Sequence, residues 1–180
     1  MKYNHLLVLF FCCFCIVGCK DTTTDKSEGT TVEQKAEEPF TATLKFVAKK
    51  SDDFCMLYTE DGTINFGEKG VWKAIEGSEN EQEVTFVLPP DEYPTQLRFD
   101  LGMKKDQEDI IVKGIKLLYR GKTFEAYGSK FWSFFRADEN QCTADVNTGL
   151  VKAVVKDGER KNASLYPQST LRQEIENLAK

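Results

Sequence analysis

Residues 40–49 read FTATLKFVAK, with Phe40, Ala42, Leu44, Phe46 and Ala48 alternating with Thr41, Thr43, Lys45, Val47 and Lys49. An apolar residue at every second position is the signature of a strand with one face buried and one wet. The same period recurs downstream. Glu83 to Leu88 alternates through Val84, Phe86 and Leu88 and stops at Pro89-Pro90, and Gln96 to Leu101 alternates through Leu97, Phe99 and Leu101 and ends at Gly102. Phe54 to Thr59 reads as a further strand closed by the turn pair Asp61-Gly62, and residues 63–75 as two short pieces around a loop, broken by Gly67 and Gly70.

Beyond the charged loop MKKDQED (residues 103–109), Ile110, Val112, Ile115, Leu117 and Tyr119 outline one long strand bent at Gly114. Arg120-Gly121 then turns the chain into Lys122–Tyr127. Residues 150–156 and 159–166 flank Asp157-Gly158, the strongest hairpin signal in the chain. Only the end is helical in pattern: Leu171, Ile175 and Leu178 share a face, Pro167 marks the boundary, and Thr170 with Gln173 suits a capping box. Eight or nine short strands without interleaved helices predict an all-β, two-sheet antiparallel sandwich or jelly roll over residues 40–168, followed by one C-terminal helix over 169–180.

LRFDLG at 97–102 and IIVKGIKLLYRG at 110–121 together resemble the late strand pair of galactose-binding-like sandwiches, a group that includes many carbohydrate-binding modules. The resemblance covers about two dozen residues and implies a jelly-roll sandwich and a glycan ligand. In carbohydrate modules the chain often ends soon after this pair, whereas here about sixty residues follow, which departs from that pattern.

The amino terminus predicts a location. Lys2 precedes an unbroken apolar run, LLVLFFCCFCIV, from Leu6 to Val17, and polarity returns with Lys20-Asp21. A charged start, a short apolar core and a small residue at the cut are the layout of a secretory signal peptide, and the run is shorter than the roughly 20 residues of a membrane span. Ile16-Val17-Gly18-Cys19 resembles the lipobox of bacterial lipoproteins, with Ile16 where that family prefers Leu. The resemblance implies cleavage before Cys19, a thioether-linked diacylglycerol on its sulfur and an acylated (palmitate-type) amino terminus. Residues 1–18 are then the signal peptide and 19–39 a lipidated cysteine with a polar linker. Two or more acyl chains hold stably in a bilayer where one does not. The expected location is the bacterial outer membrane, facing the periplasm or the cell surface. The linker, with Val32 and Ala36 its only apolar residues before Pro39, reads as a tether with a reach on the order of 25 Å.

Composition removes whole classes of function. The formal net charge is −5, and Lys2 leaves with the leader, so the mature chain is more acidic still. That argues against nucleic acid, which is bound by clustered Lys and Arg. The single histidine, His5, also leaves with the leader. Ser-His-Asp and Cys-His nucleophiles and the usual zinc and iron sites go with it. The acidic loop 106–109 has oxygens to offer calcium but no EF-hand pattern, and we expect no metal, no cofactor and no catalytic residue. Cys55 and Cys142 either pair as a disulfide in an oxidising compartment or stay as buried thiols.

Candidate contact residues are aromatic. Within Lys130–Arg136 (KFWSFFR), read as a strand, Trp132 and Phe134 face away from Phe131 and Phe135, and either the terminal helix or a ligand covers them. Trp72 is a second platform for a sugar ring, with Tyr58 and Tyr93 as lesser ones. Arg98 and Asp100 lie two apart, opposite Leu97, Phe99 and Leu101, placed to take hydroxyls or to pair with each other. The expectation is a lipid-anchored, non-catalytic module whose partner is a glycan or glycoconjugate; the alternative is a protein–protein accessory module of a cell-envelope assembly.

Overall fold

The computed structural model describes residues 38–180. The expectations for the leader, for Cys19 and for the linker up to residue 37 lie outside the described residues. In chain order the strands are β1 (Thr41–Ala48), β2 (Asp52–Thr59), β3 (Gly70–Ile75), β4 (Ser78–Val87), β5 (Gln96–Leu101), β6 (Ile110–Tyr119), β7 (Lys122–Tyr127), β8 (Phe135–Ala137), β9 (Cys142–Asp145), β10 (Leu150–Ala153), β11 (Val155–Lys156), β12 (Glu159–Arg160) and β13 (Ala163–Pro167). Helix α1 (Ser169–Ala179) ends the chain.

Antiparallel pairing sorts them into a two-sheet sandwich. The first sheet runs β4-β1-β6-β10-β9 with β7 also paired to β6, and the second runs β3-β2-β5-β13-β8. The strands carrying the galactose-binding-like pattern, β5 and β6, do not pair with each other. Each is the central strand of its own sheet, and loop 102–109 carries the chain between them.

Alternation builds the core. In β1, Ala42, Leu44, Phe46 and Ala48 are fully buried, while the residues between them are half-buried. Leu44 is opposite Val84 on one side and Ile115 on the other, so one apolar row crosses three strands. In β6 the buried set is Ile110 and Val112, then Ile115, Leu117 and Tyr119. The parity changes because Lys45 pairs with Gly114 but Phe46 with Val112, leaving Lys113 as an inserted bulge residue. Phe rings then bridge the sheets, Phe46 to Phe54 at 4.9 Å and Phe86 to Phe99 at 5.6 Å between centroids.

One buried charge organises the passage from β5 to β6. Asp52, 2% exposed, accepts the backbone N–H groups of Asp53 (2.7 Å), Met103 (2.8 Å) and Lys104 (3.1 Å), and Gln107 Nε2 donates to its other oxygen at 3.1 Å. Gly102 makes room: at φ +82° it takes a conformation few other residues adopt, and a Cβ there would lie 2.7 Å from Asp52 Oδ2. Within the acidic loop, Asp106 and Glu108 reach Lys50 at 3.7 and 3.8 Å, and Gln107 turns inward.

Three local expectations are corrected. Residues 130–136 are not a strand: Gly128–Ser133 form a 3-10 helix, and β8 begins only at Phe135. Phe131, Trp132, Phe134 and Phe135 are all buried, a spacing that a strand with one wet face cannot satisfy. The Asp157-Gly158 turn is real, but its hairpin is only two residues deep. The flanking segments part, β10 into the first sheet and β13 into the second. No capping box forms; the N-cap Gln168 does not cap the helix with its side chain, which donates instead to the Trp132 carbonyl at 2.5 Å, and the Thr170 hydroxyl donates to Ser133 O at 2.5 Å.

Helix α1 buries Leu171, Ile175 and Leu178 against β5, β6, β7 and β13, and the Tyr93 hydroxyl donates to the Ile175 carbonyl. Among the described residues no helix is long and apolar enough to cross a membrane.

Replacing Asp52 by Ala removes the acceptor of the buried Gln107 amide and of three part-buried backbone N–H groups, so Asp52→Ala should cost about 3 kcal/mol. Urea unfolding followed by circular dichroism should show a lower midpoint at unchanged slope; an unaltered midpoint would remove Asp52 from this role.

Candidate ligand-binding faces

Strand parity decides which predicted residues meet. Trp72 on β3 is opposite Cys55 on β2, Cys55 is opposite Asp100 on β5, and Asp100 is opposite Ser164 on β13. The next row is Gly70, Leu57 and Arg98, with Tyr166 and Arg136 completing the face. Trp72, Arg98 and Asp100 therefore share the outer face of the second sheet, opposite the buried Phe54, Met56, Leu97 and Phe99. Strands lie about 4.8 Å apart, which sets Trp72 roughly 10 Å from the Arg98–Asp100 pair, the span of one or two sugar rings. Between them Leu57 fills the floor: its Cδ2 would lie 2.9 Å from a Cβ on Gly70, and Cys55 beneath is fully buried.

Trp72 is 54% exposed. Arg98 holds Asp100 through two bonds, Nε to Oδ1 at 2.8 Å and Nη2 to Oδ2 at 2.9 Å, and the Ser164 hydroxyl adds a third at 2.8 Å. Arg98 also donates to the Tyr166 hydroxyl at 3.0 Å. The Tyr166 ring has two guanidinium groups near it, Arg98 at 4.8 Å and Arg136 at 5.5 Å, with the edge of Phe66 at 5.7 Å. This network fixes the polar groups beside Trp72 in one arrangement.

The other predicted residues lie elsewhere. Trp132 (7% exposed) and Phe134 (8% exposed) are core residues. Phe134 packs edge-on against Phe124 at 4.8 Å, and Trp132 against Phe131 at 5.0 Å. Trp132 also lines a cleft of about 530 Å³ where the edges of the two sheets part, with Phe135, Ala137, Cys142, Val146 and Gln168. Tyr58 belongs to the core side of β2 and donates its hydroxyl to Glu92, which in turn receives Lys69 Nζ at 3.2 Å. Burial, reinforced by Glu92, pushes the Tyr58 phenol up to about 12.

Cys55 and Cys142 are buried free thiols rather than a disulfide. Cys142 sits in the core with its thiol toward the Ser164 carbonyl at 3.3 Å, while Cys55 is on the outer face of the second sheet. Burial, with Asp100 nearby, raises the Cys55 thiol to about 12. Among the described residues no group of three or more His, Cys, Asp or Glu is placed to hold a metal ion.

A second face was not anticipated. On the outer side of the first sheet, Gly114 is opposite Tyr127 on one side and Lys45 on the other. A Cβ on Gly114 would fall 2.2 Å from Tyr127 Cδ1, so the ring occupies the space that a side chain would fill. Tyr127 is 43% exposed and borders a trough of about 350 Å³ with Thr41, Thr43, Thr85 and Lys116. The signal was present in the sequence: with Arg120-Gly121 as a two-residue turn, Tyr119 faces Lys122, and counting back brings Gly114 to Tyr127.

No protein-family model, curated protein or solved structure matches the chain.

The buried acids favour the fold while they stay protonated, so their contribution is full below the ordinary values of 9.0 for thiols and 10.0 for phenols. It is lost as pH rises toward about 12, where Cys55, Tyr58 and Tyr93 ionise in the folded state. Thermal unfolding temperature should therefore be level from neutral pH to about pH 9 and then fall; a fall beginning below pH 8 would contradict this. At pH 8 the folded protein should react slowly with a thiol reagent, and Trp72→Ala should quicken labelling at Cys55 by uncovering it.

Proposed function

We propose that the chain is a lipid-anchored bacterial envelope protein whose sandwich binds a glycan or glycoconjugate without catalysis, using the outer face of the second sheet. The observation that carries this reading is the half-exposed Trp72 beside the fixed Arg98–Asp100–Ser164 group. A flat indole supplies apolar contact to a sugar ring, and the exposed parts of the Arg98 guanidinium and Asp100 carboxylate, held from below by the buried Ser164 hydroxyl, supply direction. Asp100 is already engaged by Arg98 and Ser164, an arrangement suited to recognition rather than to proton transfer. The anchor is proposed from the Ile16–Cys19 motif alone.

Two tryptophans are present, so a Trp132→Phe background, a near-conservative core change, leaves Trp72 as the only indole. Titrating its fluorescence with a panel of polysaccharides should shift or quench the emission with at least one member. Trp72→Ala, which leaves no indole in that background and is therefore followed by calorimetry, should weaken binding of that member at this face by at least tenfold, a loss of roughly 1.4 kcal/mol or more. No response across the panel, together with an envelope protein that co-purifies through the Trp132 cleft, would favour the accessory-module reading instead. Mass spectrometry of native material should find residues 1–18 absent and Cys19 carrying diacylglycerol; an intact leader or an unmodified thiol there would remove the anchor.

A further inference from the structure

We infer that the outer face of the first sheet is a second, independent binding surface for an uncharged glycan chain. It takes its ligand class from the reading above, but it rests on different residues. Tyr127 is held over the sheet because Gly114, directly opposite it, carries no side chain. The Lys45 ammonium stands 5.8 Å from the ring centroid, so a sugar shares this aromatic with the lysine; with Tyr127 43% exposed and already fixed, its ring does not have to be ordered on binding.

The next row supplies hydroxyls. Thr43 and Thr85 lie opposite each other and share a hydrogen bond at 2.8 Å, and Lys116 follows on β6. Charge decides the class of occupant. Lys45 is matched by Glu81 at 3.1 Å and Glu83 at 3.5 Å, and Lys116 by Glu125 at 3.6 Å. Glu81 and Glu83 also hold the Lys45 ammonium in its charged form, above its ordinary range. With each cation of the trough answered on the spot, an anionic polymer finds no free positive charge to pair with. A neutral polyol that stacks on Tyr127 and exchanges hydrogen bonds with the threonines fits this face.

The two faces look away from each other. Sheets in a sandwich pack about 10 Å apart, so a short oligosaccharide on Trp72 cannot also reach Tyr127. The protein is then bivalent and bridges two separate glycan chains.

The test uses the folded protein, Trp72→Ala, Tyr127→Ala and the double variant, with Thr43→Val/Thr85→Val as a second probe of the trough that leaves the core untouched. Affinity electrophoresis in gels containing neutral polysaccharides (glucan, mannan, xylan) or anionic ones (alginate, pectate) identifies the ligand. Calorimetry with a hexasaccharide of the retarding neutral polymer then counts sites. The expected result is two sites per chain for the parent, one for each single aromatic variant and none for the double. Mixing the parent with the long polymer should raise turbidity, and either single aromatic variant should abolish the turbidity while still being retarded. Full loss of binding in Tyr127→Ala with no effect of Trp72→Ala would keep this inference and discard the Trp72 site. Wild-type stoichiometry in both Tyr127→Ala and the threonine pair, retardation only by anionic polymers, or no retardation in any gel would overturn it.

Discussion

A carboxylate removed from water is costly unless its oxygens are occupied, and Asp52 meets that condition by drawing loop 102–109 onto itself. The loop joins β5 to β6, the central strands of opposite sheets. Its path sets how far each strand runs before the chain crosses, and so which side chains point inward. A shift of one residue at this crossing would turn Leu97, Phe99 and Leu101 outward and Arg98 and Asp100 inward. The core and both outer faces thus depend on one buried charge satisfied by backbone amides.

Both candidate faces are by-products of the alternation that builds the core. Burying one side of β1, β2, β5 and β6 fixes the other side at spacings of about 4.8 Å across strands and about 7 Å along them. On the second sheet the result is a tight ionic network beside an indole; on the first it is a row of hydroxyls beside a phenol. Small residues matter in both places. Gly70 leaves its space to Leu57 next to Trp72, and Gly114 leaves its space to Tyr127. In each case rigidity comes from the sheet, so recognition does not require a loop to order.

The period of two located β1, β5 and β6 closely, because in those strands the inward face is apolar; β7 followed from the Arg120-Gly121 turn. The period placed the start of β4 too late. The strand begins at Ser78 and its first residues, SENEQE, are mostly exposed polar side chains, so no apolar signal marks them. It also failed at 130–136, where Phe131 and Trp132 sit in a 3-10 helix, Phe134 follows its end and Phe135 opens β8, all four buried. Asp157-Gly158 showed where the chain turns but not that its arms enter different sheets, since turn chemistry is local and sheet choice is not. The grouping of Trp72 with Arg98 and Asp100 needed the β3-β2-β5 order, which no local pattern encodes. Tyr127 was within reach of counting from the Arg120-Gly121 turn, because hairpin register is fixed by the turn itself.

Tyr93 links two distant parts of the chain: its ring meets the edge of Phe40 at 5.9 Å, just before β1, and its hydroxyl holds the Ile175 carbonyl in α1. The entrance to the first strand and the terminal helix are therefore gathered at one pole. Because one phenol touches both, loosening α1 would strip a contact from Phe40 as well, so the start of the first strand and the last helix should fray together.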